Sequence, residues 1–148
     1  MLQADEEQSL HIKAAAGTGK TFVAMIFLQK TIDAIVASKD AKRRVLIVAP
    51  NEPLVLMIVK WLAQRCVRNR QMKRLLKTVH VLHGSPTGGG VPMGVRLKDN
   101  TIEMVPLSSS QQCALYDIRV VDEAHKIYGS TATGFGAVAT SYKAKRLL

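Results

Sequence analysis

Apolar positions in this chain follow two alternating rhythms. Val45, Leu46, Ile47, Val48 and Ala49 form an unbroken apolar run closed by Pro50, the pattern of a strand covered on both faces in a parallel sheet. Shorter runs at 10–14, 78–82, 101–106 and 119–121 read as further strands. Between Lys20 and about Ala37, Phe22, Ile26, Ile32 and Ile35 or Val36 recur at helical intervals, which predicts a helix packed on the sheet. Asn51 can cap a second helix with Pro53 in its first turn, and Leu54, Ile58, Trp61 and Leu62 supply its core stripe. A short helix is expected over 137–145, leading into a last apolar segment at 146–148. Strands alternating with helices predict an α/β fold, with a mainly parallel sheet and helices on both faces.

The polar segments punctuate this pattern. Residues 1–8 are polar and expected to fray, and 38–44 read as a basic loop. Residues 84–100 hold Pro86, Gly88, Gly89, Gly90 and Pro92, the composition of a surface loop with little regular structure. The triple glycine is not a second phosphate site, because no helical start follows it. Ser108, Ser109, Ser110, Gln111 and Gln112 read as a capped turn or short helix, and a Gly/Ser/Thr loop runs from Tyr128 to Gly136.

Chemistry appears where the first strand meets the first helix. Ala14, Ala15, Ala16, Gly17, Thr18, Gly19, Lys20 and Thr21 have the form of a phosphate-binding loop. Glycines let the backbone curl until successive N–H groups point into one concavity, where a β-phosphate meets the amides and the positive end of the helix. Lys20 adds a mobile charge for the β- and γ-phosphates, and the Thr21 hydroxyl is placed for Mg²⁺. Ala14 stands where the general pattern has its first glycine. That variant, Ala-x-x-Gly-x-Gly-Lys-Thr, resembles motif I of the superfamily 2 helicases.

A second motif strengthens the resemblance. Arg119, Val120 and Val121 read as the end of a buried strand that delivers Asp122, Glu123, Ala124 and His125, the DEAH form of the Walker B motif. Four specified residues arise by chance in a chain of this size on the order of once in a thousand, so the pair of motifs outweighs either alone. The interval between Lys20 and Asp122 leaves room for the strand and helix units of a helicase ATPase domain. Pro50 and Leu54 resemble motif Ia, whose loop touches nucleic-acid backbone, although a plain strand, turn and helix explains them equally well. Residues 101–106 resemble the strand before motif Ib, with Val105, Pro106 and Leu107 in place of the usual Thr-Pro-Gly. Gln3 and Gln8 are the candidates for an adenine-reading glutamine, at ill-matched spacing to Lys20.

Composition adds bounds. The 148 residues make one domain, too short for the two ATPase domains of a complete helicase. A formal net charge of +10 points to a polyanionic partner. Lys60, Arg65, Arg68, Arg70, Lys73, Arg74 and Lys77 lie in a stretch without one acidic residue, either a solvated face or a phosphate-backbone surface whose binding falls with salt. Aromatic residues are scarce there, with Trp61 assigned to the core, so backbone rather than sequence would be read. Cys66 and Cys113 lack metal spacing and read as reduced core thiols. His11, His80 and His83 show no ligand spacing and read as structural. No apolar run approaches membrane-spanning length and the opening is acidic, which suggests an intracellular protein, cytoplasmic or nuclear.

The resemblance implies a RecA-like P-loop NTPase domain of DEAH type, running from just before motif I to just before motif III and therefore partial. It implies that Ala16, Gly17, Thr18, Gly19, Lys20 and Thr21 hold ATP, that Thr21 and Asp122 hold Mg²⁺, that Glu123 is the general base, and that His125 links nucleotide state to grip on RNA or DNA. Lys20, Asp122, Glu123 and His125 are the catalytic candidates. The arginine finger and a second RecA-like domain, in cis or trans, would lie outside these residues, leaving the chain alone weak in hydrolysis. In that architecture the strand leading toward motif III stands between the strands of motifs I and II, and most of it is expected to be missing here. Three readings remain beside this one: a superfamily 1 ATPase of the Schlafen type, a nucleic-acid-binding module with a vestigial nucleotide site, and a non-functional truncation.

Overall fold

The computed structural model describes residues 8–9, 17–38, 42–66, 69–84, 90–129 and 134–148. The strand expected at 10–14 lies outside them, as do His11, Ala14 to Ala16 and the first two glycines of the triple. Strand β1 (Gln8–Ser9) precedes helix α1 (Lys20–Ala37), β2 (Val45–Ala49) and α2 (Glu52–Gln64). Helix α3 (Asn69–Thr78) runs directly into β3 (Val79–His83), followed by β4 (Met93–Lys98), β5 (Thr101–Pro106), β6 (Leu115–Tyr116) and β7 (Ile118–Val121). Helices α4 (Ala124–Tyr128) and α5 (Phe135–Ser141) and strands β8 (Lys143–Ala144) and β9 (Arg146–Leu147) complete the chain.

The main sheet has the order β1-β9-β7-β2-β3-β4-β5. Its β1, β9, β7, β2 and β3 are mutually parallel, whereas β4 and β5 form an antiparallel edge. The alternation of side chains along a strand explains the layering. Val45, Ile47 and Ala49 face one apolar cluster with α1, α2 and α3. Leu46 and Val48 face the other, with Ile127 of α4 and Phe135 and Ala139 of α5. Helices therefore cover both faces, and all five residues of β2 are buried, as its unbroken apolar run requires. The fold is the α/β RecA-like one.

Several expectations need correction. The loop expected at 84–100 contains β4, which pairs with β5 across Asp99 and Asn100. Both turn residues have positive φ, 46° and 60°, the requirement of a two-residue turn whose twist matches a hairpin. The basic run holds a helix, α3, whose Leu75 and Leu76 are buried while Lys73, Arg74 and Lys77 are exposed. In α1 the buried stripe is Met25, Leu28, Thr31, Ile32 and Ile35, and Phe22, expected in the core, is 51% exposed. Trp61 is half-buried, with the Phe22 ring set edge-on at 5.9 Å and the Arg65 guanidinium 3.4 Å over its ring. Cys66 and Cys113 are free and only partly buried, since each sits at the end of an element rather than beneath it.

The place between β1 and β7 is held by β9, which pairs with both. Hydrogen bonds Leu148 N to Arg119 O (2.8 Å) and Val121 N to Leu148 O (2.7 Å) extend that pairing by a residue. A buried carboxylate ties the entrances of the central strands together. Asp117 accepts from Arg43 Nε (3.1 Å), Lys145 Nζ (3.1 Å) and the Arg44 N–H (3.2 Å). Burial pushes its pKa up, but the hydrogen bonds and charges of Lys145 and Arg43 outweigh that and hold it below the ordinary value.

Candidate functional site

The site forms where the parallel strands end and α1 begins. Gly17 and Gly19 have φ of 77° and 84°, a left-handed backbone that side chains with a Cβ rarely adopt. Gly19 is the N-cap of α1, makes no side-chain capping bond, and is followed by a first turn without an acidic residue. Gly19 itself offers no side-chain acceptor to the first-turn amides, and the helix dipole adds positive potential at the same point. Lys20 and Thr21 are the first two residues of this helix, both half-buried.

Strand β7 brings the second motif to the same end. Its ladder with β2 continues past the strand, Asp122 N donating to Val48 O at 3.0 Å, so Asp122 is held at the rim by backbone geometry. The Thr21 hydroxyl lies 3.2 Å from Asp122 Oδ1 and 3.1 Å from Oδ2, across 101 residues of sequence. A second donor, the Glu123 N–H, reaches Asp122 Oδ1 at 3.0 Å. These contacts orient the carboxylate toward the start of α1.

Glu123 is a non-glycine residue with φ of 55°, a conformation that costs on the order of 1–2 kcal/mol. It caps α4 from that left-handed position, so the chain turns sharply between the carboxylates of Asp122 and Glu123. Glu123 Oε2 is 3.2 Å from His125 Nε2 and 3.6 Å from Lys126 Nζ. The side chain of His125 is largely solvent-exposed. All three chemical residues of the second motif thus sit within one turn.

A model of the DEAD/DEAH box helicase family matches residues 1–145. The chain belongs to that family. No curated protein and no solved structure matches it. This helicase domain keeps Gly17, Thr18, Gly19, Lys20 and Thr21 at the start of α1 and Asp122, Glu123 and His125 after β7, while Ala16 lies outside the described residues.

Among the described residues no three His, Cys, Asp or Glu side chains gather as a metal cage. The donor set present is a hydroxyl and a carboxylate in contact. That set fits Mg²⁺, which keeps several waters and is held by one or two protein oxygens together with substrate phosphates. The other described histidines, His80 and His83, do other work. His80 Nδ1 is 3.0 Å from Tyr116 Oη inside the protein, and His83 Nδ1 is 2.9 Å from Gly84 O.

Sequence reasoning missed the supports of the site. Arg119 Nη1 donates to Ala139 O (2.9 Å) and Tyr142 O (2.7 Å), fastening α5 to the strand that carries Asp122. A charged residue inside an otherwise apolar strand was the available signal, since a buried guanidinium needs acceptors nearby. The motif Ia candidate lies at the same end: Pro50 follows β2, and Asn51 caps α2 by accepting from the Leu54 N–H at 3.0 Å.

Proposed function

We propose that this DEAD/DEAH box helicase domain binds Mg-ATP across the start of α1 and the end of β7, and couples its hydrolysis to binding or remodelling RNA or DNA. The observation that carries the reading is the contact of the Thr21 hydroxyl with both oxygens of Asp122. Two motifs far apart in sequence meet there as one hydroxyl–carboxylate pair. In this reading Lys20 and the amides of Ala16, Gly17, Thr18, Gly19, Lys20 and Thr21 hold the phosphates, and Thr21 and Asp122 hold Mg²⁺. Bound Mg-ATP supplies a phosphoanhydride activated by charge neutralisation, and the protein supplies position and field.

Glu123 orients a water and takes its proton. Glu123 follows Asp122 on a left-handed backbone, and in this reading one carboxylate serves the metal and the other the proton. His125 and Lys126 lie beside the Glu123 carboxylate, and in this reading His125 carries the state of the nucleotide toward the nucleic-acid grip. A second RecA-like domain, in cis or trans, completes the site with the arginine that this part of the reading assigns to it. Nucleic acid is held by its backbone, with the loop after β2 as one contact.

Isothermal calorimetry with Mg-ATP tests this. Wild type is expected to bind saturably, Lys20→Ala to lose at least about tenfold in affinity, and Glu123→Gln to keep binding while losing on the order of 10²-fold or more in hydrolysis. A cooperatively folded wild type that does not bind Mg-ATP would overturn the reading.

A further inference from the structure

The parallel strands share one direction, so the two ends of the sheet differ. Pro50, Gly84 and Asp122 follow the carboxyl ends of β2, β3 and β7, and α1 starts beside them. The cations collect at the other end. Helix α3 passes into β3 with no residue between, which sets its last turns, with exposed Lys73, Arg74 and Lys77, beside the amino end of the sheet. Strand β4 runs antiparallel to β3 with Gly94 opposite His80, so exposed Lys98 has passed beyond the start of β3. Arg43 and Arg44 enter β2 at this same end, and Lys145 enters β9.

Among the described residues, carboxylates balance little of this charge. Asp117 is shared by Arg43 and Lys145, and Glu103 is paired with Arg96. Asp33 and Asp99 are the other acids near this end among the described residues. Among the described residues Lys73, Arg74, Lys77 and Lys98 have no carboxylate partner. The large exposed apolar side chains here, Leu97 and Leu115, stand singly on separate strands and form no groove for a protein segment. The exposed aromatic side chains, Phe22 and Tyr128, belong to α1's first turn and to α4, at the nucleotide end.

We propose that this amino end is a second nucleic-acid surface, separate from the motif-bearing end, that takes phosphate backbone through Lys73, Arg74, Lys77 and Lys98. Cations dispersed over a helix and a strand, with no stacking side chain between them, suit phosphodiesters read without regard to base sequence. Such a surface would tether a distant part of a long nucleic acid while the opposite end cycles.

The test is fluorescence anisotropy with a mixed-sequence DNA duplex of about 20 base pairs across a potassium chloride series. Wild type is compared with Arg74→Gln/Lys77→Gln and with the charge-matched Lys30→Gln/Lys60→Gln, which alters the outer faces of α1 and α2. The first double variant is expected to make the slope of log K against log salt shallower by about two, at roughly 0.9 per phosphate contact, and the second to leave it unchanged. Equal slopes for both double variants would overturn the proposal. So would tighter binding of a poly-glutamate peptide than of the duplex by wild type, which would assign the surface to an acidic protein. Arg74→Gln/Lys77→Gln should keep the wild-type melt and Mg-ATP isotherm. Failure of the nucleotide reading flattens the wild-type isotherm itself and is thereby distinguished from failure here.

Discussion

Thr21 shows how much one hydroxyl can carry. It donates to Asp122 from the first turn of α1, and a hydrogen bond to a charged group contributes about 1.5–3 kcal/mol. Thr21→Val keeps the branched shape and removes the donor, leaving a half-buried carboxylate with one partner fewer. Mg-dependent ATP affinity is expected to fall at least about tenfold in this variant and to stay within about twofold in Thr21→Ser, read by calorimetry with magnesium and with chelator. Nucleotide affinity measured without magnesium should change little. Equal loss with and without magnesium would remove Thr21 from the metal role. Lys20, Thr21, Asp122 and Glu123 could be read from the sequence as candidates because the chemistry proposed for them needs fixed spacings on short segments. The left-handed backbone of Glu123 was not, since nothing in its neighbours' composition demands it.

At the scale of elements, helices and strands with a strong apolar rhythm were legible, and those without one were not. The bounds of α1 were read from periodicity, yet Phe22 falls outside its buried stripe because the face of a helix is chosen by what packs on it. Helix α3 escaped notice because cations crowd its apolar stripe of Met72, Leu75 and Leu76. Strands β4 and β5 hinge on Asp99 and Asn100, a two-residue turn whose φ values side chains with branched Cβ atoms resist. Asn100→Val is expected to cost about 1–2 kcal/mol of unfolding free energy, read as a lower urea midpoint, whereas Asn100→Gly should be neutral or slightly stabilising. An unchanged midpoint in Asn100→Val would show that this edge hairpin does not belong to the cooperative unit.

For the whole molecule, a buried polar pair sits within the apolar cluster on one side of the sheet. His80 of β3 is 3% exposed and meets Tyr116 of the second cluster. Burial, with a smaller contribution from the charge of Arg44, lowers its pKa from the ordinary 6.5 to about 4. The unfolded chain then binds the proton more readily than the folded one between those values. Stability is full above about pH 6.5 and falls as pH drops toward 4, by up to about 3 kcal/mol. Denaturant unfolding followed from pH 7 to pH 5 should show that slope, and His80→Gln should flatten it. A wild type with no slope over that interval would place His80 in contact with water. Asp117 behaves in the opposite sense to a simply buried acid: its depressed pKa means its contribution persists above the ordinary carboxylate range and is lost only as pH falls below it.

The sequence by itself determined the elements whose side chains repeat with the period of a helix or a buried strand, and the two motifs whose residues must be neighbours to work. These are local properties, written within a few residues. Tertiary structure decided the rest: that Thr21 and Asp122 touch across 101 positions, that β9 stands between β1 and β7, that Asp117 gathers Arg43 and Lys145 from two separate segments, and that Lys73, Arg74 and Lys77 lie at the end of the sheet away from the nucleotide site. Each depends on strand order and direction, and those follow from how two apolar faces are buried together rather than from any one segment.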